Sequence, residues 1–239
     1  MGTAARFHTT HWSVVLAANA DDPARARDAL EKLCAVYWYP VYAFLRRRGL
    51  QPADAEDLVQ GFLEHLIERR LFEAADPDKG RFRSYLLASL HHYLADTADR
   101  AWCLKRGAGK PLISLDAMAA ECRYALEPAD PCTPEQLFER RWALTLLDTV
   151  LQRLETEATE SGRADLFGRI KGVLLGDRGG VPYFELAPQL GMSEAALTMT
   201  VHRLRRRYRE LVREEIAHTV SRPVEIDEEM RHLFQVLSG

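Results

Sequence analysis

Along most of this chain apolar residues recur three and four positions apart, and nowhere do they alternate strictly. That is the pattern of helices burying one stripe each, not of strands. The clearest stretch starts at Pro52, where Leu58, Val59, Phe62, Leu63, Leu66 and Ile67 repeat as adjacent pairs four residues apart. Side chains at that spacing share one side of a helix, so this stretch has to bury that side against other helices. Pro and Gly fall between the periodic segments, where helices end. The expected fold class is all-α, with no sheet.

The punctuation divides the chain further. Asp22-Pro23 reads as N-cap and first position of a long helical segment, Arg48-Gly49 closes the next, and Pro40 is expected to break or kink the run between them. After the turn-like Asp76-Pro77-Asp78-Lys79-Gly80, a helix burying Phe82, Leu86, Leu87, Leu90 and Leu94 is predicted to reach about Arg106. From Gly107 to Pro134 periodicity fails and Gly and Pro recur, a stretch longer than ordinary loops within a domain. It reads as a linker in which Leu112, Ile113, Leu115 and Met118 are apolar enough to dock on a surface. Further helices are predicted from Glu135 to about Leu154, from Ala164 to Leu175, and on either side of Gly191. The expected organisation is a first helical domain over 1–106, a linker over 107–134, a second helical domain over 135–216 and a tail over 217–239. In the tail Asp227 is a candidate cap ahead of Met230, Leu233, Phe234 and Leu237, whose spacing predicts a helix packed on the second domain.

With 47% hydrophobic and 28% charged residues the chain can bury real cores. Its net charge of −3 excludes a protein that coats nucleic acid over its whole surface, so any such site must be local. Cys34, Cys103, Cys122 and Cys132 lack zinc-finger or C-x-x-C spacing and read as buried thiols, with neither metal site nor disulfide framework. The first residues carry no secretory apolar core and no run is long enough to cross a bilayer, so a cytoplasmic protein is expected. No glycine-rich phosphate loop or nucleophile elbow is present, and His91-His92 with scattered carboxylates makes no catalytic constellation. An enzyme is not expected, and neither is a cofactor.

The strongest local pattern runs from Tyr183 to Leu197. Leu186, Ala187 and Leu190 supply one helix face, Gly191 permits a tight turn, Met192 plugs the gap and Ser193 caps the helix that follows, the grammar of a helix-turn-helix. From His202 to Arg213 that second helix carries six arginines against one glutamate, Glu210. Such a stripe can hold phosphates while the start of the helix lies in the major groove. Cations near a helix C-terminus also suit its dipole without any ligand. The coincidence of cap, turn glycine and arginine run favours DNA.

On these residues the second domain resembles the promoter-reading domain of RNA polymerase sigma factors of the extracytoplasmic-function type. Tyr183, Glu185, Ala187, Leu190, Gly191, Ser193, His202, Arg203, Arg205 and Arg207 match the family's motif. The resemblance implies that the second helix contacts the minus-thirty-five element, with Ser193, Thr198, Thr200, His202, Arg203 and Arg206 as candidate duplex contacts. Thr198 and Thr200 replace a lysine and an arginine of the family, and Pro188 sits within the first helix of the motif. Two charge-assisted contacts are therefore missing, although threonine can still meet a base edge or a thymine methyl.

The first domain resembles the same family independently. Asp54-Ala55-Glu56-Asp57-Leu58-Val59-Gln60-Gly61-Phe62-Leu63 is similar to the helix that docks on the clamp coiled coil of the polymerase's largest subunit. The resemblance makes Asp54, Asp57, Gln60 and Glu64 candidate contacts to core RNA polymerase, since acids beside an apolar stripe can select orientation. Acids at a helix start also simply complement its dipole. Lys79-Gly80-Arg81-Phe82-Arg83-Ser84-Tyr85-Leu86 is similar to the segment that melts the promoter and holds the minus-ten element. Seven Lys or Arg stand against Asp96 and Asp99 between Lys79 and Lys110, and arginines beside aromatic faces suit unstacked bases. The candidate melted-DNA contacts are Lys79, Arg81, Arg83, Tyr85, His92 and Arg100. Phe82 is core by its spacing and equally a candidate for a second role at the DNA, and Tyr85 and Trp102 are open in the same way. Thr10-His11-Trp12-Ser13 and Phe138-Glu139-Arg140-Arg141-Trp142-Ala143-Leu144 are similar to segments of one subgroup of the family, with no role implied.

The resemblance implies core RNA polymerase and promoter DNA as partners, with an anti-sigma factor as a further candidate. The rival is an ordinary helix-turn-helix regulator that binds DNA through its second domain and does not bind core polymerase.

Overall fold

The computed structural model describes residues 12–18, 22–103, 115–125, 132–174 and 182–238, with the backbone alone described for 98–103 and 115–119. Every regular element among them is helical, so the chain is all-α. In order the helices are α1 (Trp12–Ala17), α2 (Pro23–Arg47), α3 (Pro52–Glu68), α4 (Phe82–Cys103), α5 (Leu115–Ala125), α6 (Pro134–Glu160), α7 (Ala164–Leu174), α8 (Tyr183–Gln189), α9 (Glu194–Ala217) and α10 (Ile226–Ser238). Short 3-10 turns lie at Leu71–Ala74, Pro77–Lys79 and Pro223–Glu225.

Local chemistry starts these helices where it should. The Asp22 carboxylate accepts from the Ala24 N–H at 3.0 Å, with Pro23 in the first position of α2. Thr133 and Gln136 form a reciprocal capping box ahead of α6: the Thr133 N–H donates to Gln136 Oε1 at 2.7 Å, and the Gln136 N–H donates to Thr133 Oγ1 at 3.2 Å. Pro40, expected to break or kink its run, lies inside α2 and does not end it. It removes one backbone hydrogen bond, a cost of roughly 3 kcal/mol. Tyr39 through Leu45 are all buried around it, and at roughly 1.5–3 kcal/mol per large apolar side chain that burial outweighs the loss.

The chain forms two compact units, Met1–Thr145 together with Ile216–Gly239, and Leu146–Glu215. In the first, Phe82 is core: its ring meets Tyr37 at 5.6 Å, Phe72 at 6.0 Å and Trp12 at 6.1 Å between centroids. The conspicuous Trp12 and Phe138–Ala143 segments acquire a role here. Trp12 is buried and its N–H donates to the His218 carbonyl at 3.0 Å. Phe138 stacks on Tyr37 at 6.2 Å, and Leu137, Trp142 and Ala143 are buried beside it. This first half of α6 is why the second compact unit begins at Leu146, later than the expected boundary at 135. The tail also departs from expectation, since it belongs to the first unit, where Leu233 is buried.

The expected linker contains α5, whose described side chains dock through polar and ring contacts beside buried Ala120; the side chains of Leu115 and Met118, and all of Leu112 and Ile113, lie outside the described residues. Glu121 accepts from Arg46 Nη2 at 2.7 Å, from Arg46 Nε at 2.9 Å and from the Tyr42 hydroxyl at 2.7 Å. The Arg123 guanidinium lies 3.9 Å over the Tyr39 ring. Gly61 in α3 answers to a close approach, since a Cβ there would come 2.5 Å from the Tyr93 hydroxyl.

In the second unit α7, α8 and α9 enclose a small core of Ile170, Leu186, Ala187, Leu197 and Val201, with Leu166, Tyr183, Leu190 and Leu204 packed around it.

Candidate functional site

The turn between α8 and α9 is built from backbone geometry only glycine adopts cheaply. Gly191 has φ +64°, its N–H donates to the Pro188 carbonyl at 3.1 Å, and the Met192 N–H donates to the Ala187 carbonyl at 3.0 Å. This paired C-terminal cap stops α8 abruptly. Ser193 Oγ then accepts from the Ala196 N–H at 3.2 Å and starts α9. Leu197 and Val201 point into the core, which turns Thr198, Met199, His202, Arg203, Arg206 and Arg209 to solvent.

The arginine run does not act as one stripe. Arg207 makes a two-pronged ion pair with Glu157, Nη2 to Oε1 at 2.7 Å and Nε to Oε2 at 3.0 Å, and reaches Glu214 at 3.1 Å. That hydrogen-bonded pairing holds the Glu157 carboxyl below its ordinary range and the Arg207 guanidinium above its own. Arg205 donates to the Val173 carbonyl at 2.9 Å. Both brace the unit. Arg203 and Arg206 remain exposed on the outer face, Arg203 touching Thr200 Oγ1 at 3.4 Å and Arg206 facing Glu210 at 3.6 Å. Thr198 Oγ1 donates to the Glu194 carbonyl and Thr200 Oγ1 to the Ala196 carbonyl, each at 2.9 Å. Of the expected duplex set, Ser193 serves as the cap, while Thr198, His202, Arg203 and Arg206 share one open face with half-buried Thr200 at its edge.

On α3 the expected docking residues Asp54, Asp57, Gln60 and Glu64 are all exposed along one face, while Ala55, Val59, Phe62 and Leu66 are buried on another. Asp54 and Asp57 rim an open groove of about 570 Å³ whose other walls include Arg48, Leu50, Leu58 and Leu94. An apolar floor with carboxylates at the lip can take a partner carrying both apolar and basic side chains.

The expected melted-DNA residues divide differently. Arg83 is only 3% exposed. Its guanidinium lies 3.9 Å over the Trp142 ring, donates to Glu139 through Nε at 2.7 Å, and pairs with Glu229. Burial works against its charge, but the two carboxylates more than offset this and its pKa stays raised. Arg83 is therefore a buried structural cation here and not the nucleic-acid contact expected of it. Arg81 is half-buried, paired with Glu229 and 3.9 Å from Glu228. Tyr85 is half-buried and donates to the Leu71 carbonyl at 2.6 Å. Lys79 is exposed beside Asp76 at 3.3 Å, and His92 is exposed on α4. The side chains of Arg100 and Trp102 lie outside the described residues.

Sequence reasoning missed Glu228 and Glu229, which close the basic segment from α10, and Glu139, which holds Arg83 from α6. Cys34 and Cys132 are half-buried and Cys122 is exposed, which corrects the expectation of four buried thiols, and the Cys103 side chain lies outside the described residues. Burial, then the Glu31 charge, pushes the Cys34 thiol up. Among the described residues no cluster of His, Cys, Asp and Glu could hold a metal ion, and no helix is long and apolar enough to cross a membrane. No family model, curated protein or solved structure matches the chain.

Proposed function

We propose that this chain is an RNA polymerase sigma factor of the extracytoplasmic-function type, a cytoplasmic protein that carries no chemistry of its own. The observation that supports this best is a division of charge between two compact units: an exposed acidic face on α3, and on α9 an exposed face with Thr198, His202, Arg203 and Arg206. In this reading Asp54, Asp57, Gln60 and Glu64 dock on the clamp coiled coil of core RNA polymerase. The start of α9 reads duplex DNA while Arg203 and Arg206 hold phosphates. Lys79, Arg81, Tyr85 and His92 receive melted bases and hold the open complex.

The test is association of the purified protein with core polymerase in the absence of DNA, followed by run-off transcription from genomic promoter fragments. A sigma factor associates and directs initiation at discrete sites. A protein that binds duplex DNA but never core polymerase is the helix-turn-helix regulator instead.

A further inference from the structure

The acidic first turn of α10 lies on the basic segment that, in the reading above, receives melted DNA. We propose that α10 is an internal lid, holding Arg81 against Glu228 and Glu229 until single-stranded promoter DNA displaces it. The proposal rests on the sigma-factor reading.

Three observations carry it. Glu229 is 0% exposed and is paired with both Arg81 and Arg83, so the anionic position beside these arginines is already filled by the chain itself. A guanidinium accepts a carboxylate or a phosphate in the same forked geometry, so the one can replace the other. Next, an open cleft of about 740 Å³ has Lys79, Arg81 and Tyr85 on one wall and Ser221, Glu225 and Glu228 on the other. The Ser221 hydroxyl donates to the Pro77 carbonyl at 2.5 Å and narrows this approach. A strand entering this cleft to reach Arg81 passes beside the tail.

The third observation is that the fastening is uneven. Arg83 keeps Glu139 and Trp142 if α10 leaves, whereas both carboxylates paired with Arg81 belong to α10. Departure therefore frees Arg81 and leaves the buried Arg83 compensated. The apolar stripe of α10 is only partly covered: Leu233 is buried and Ile226, Met230, Val236 and Leu237 are half-buried, while Phe234 is 59% exposed. Beside this stripe α10 is held by the ion pairs of Glu228 and Glu229 and by His232, 3.0 Å from Glu139, and a polyanion can exchange the pairs with Arg81.

The full-length protein, bound to core polymerase, should be compared with Glu228→Gln/Glu229→Gln on fork-junction DNA carrying a single-stranded segment. Opening the lid predicts binding about tenfold tighter for the double variant, with core association unchanged. Equal or weaker DNA binding with normal core association overturns the lid and leaves the sigma-factor reading standing. Loss of core association in every form, the unsubstituted protein included, instead removes that reading and the lid with it. Should the double variant fail to fold, Glu228→Gln alone is compared in the same way. Hydrogen exchange on the unsubstituted complex is a second measure: amides of residues 226–238 lose protection when the fork is added, and unchanged protection refutes displacement.

Discussion

The Arg83 guanidinium lies over the indole of Trp142, its central carbon 3.9 Å from the ring centroid, with carboxylates from α6 and α10 on its donors. A cation so enclosed is part of the core. Truncating it leaves Glu229 buried with one partner fewer, and breaking such a pair costs about 3–5 kcal/mol. Arg83→Ala should lower the urea midpoint of the first unit accordingly. A variant within about 0.5 kcal/mol of the parent, as for an exposed residue, would show that the network is not formed.

Arginines on the open and the packed side of α9 should behave oppositely. Arg203→Ala and Arg206→Ala together should weaken duplex binding and reduce the slope of log affinity against log salt by about 2, one per phosphate contact. Stability should hardly change, because both side chains are exposed. Arg207→Ala should instead lower the stability of the second unit, since its forked pair with Glu157 braces α9 against α6. Thermal melts beside salt titrations separate the two behaviours.

Asp57 is exposed at the lip of the α3 groove. Asp57→Arg should abolish association with core polymerase at unaltered fold, with stability within about 0.5 kcal/mol of the parent. Unchanged affinity in a pull-down would move the interface elsewhere.

Acid should unfasten α5. The hydrogen bonds from Arg46 hold the Glu121 carboxyl below its ordinary range, with the Tyr42 hydroxyl adding to the effect against burial. A depressed carboxylate contributes stability that is complete above its unfolded pKa, roughly 4.3, and is lost as pH falls through the lower folded value. Glu121→Gln should therefore destabilise the first unit by about 1 kcal/mol at neutral pH, allowing for partial solvent screening. The difference should vanish once the carboxylate of the parent is protonated. A difference that persists in strong acid would assign the effect to packing.

The parts legible in the sequence are those decided by neighbours along the chain. Pro52, Asp22 and Gly191 mark helix ends through rules spanning a few residues, and α3, α2 and α8 begin or stop there. The α10 stripe predicted a docked helix, but the second domain expected as its berth was the wrong one, because periodicity says which side is buried and not against what. Arg83 was misread for a related reason: its partner Glu229 lies 146 positions away, and a positive charge looks the same in sequence whether it faces solvent or a buried carboxylate. Arg207 is a milder case, with Glu157 50 positions distant. Trp12 and Trp142 stood out without a meaning until the fold brought one onto Phe82 and the other beneath Arg83.

Thr198 and Thr200 turn their hydroxyl protons back into their own helix. What they hold outward is lone pairs and a methyl group, so in a major groove they can welcome the amino groups of adenine and cytosine or nestle against thymine, but they have nothing to give to guanine's acceptor edge. A family of randomised promoters selected on this surface should, on that chemistry, be poor in guanine wherever those two side chains reach.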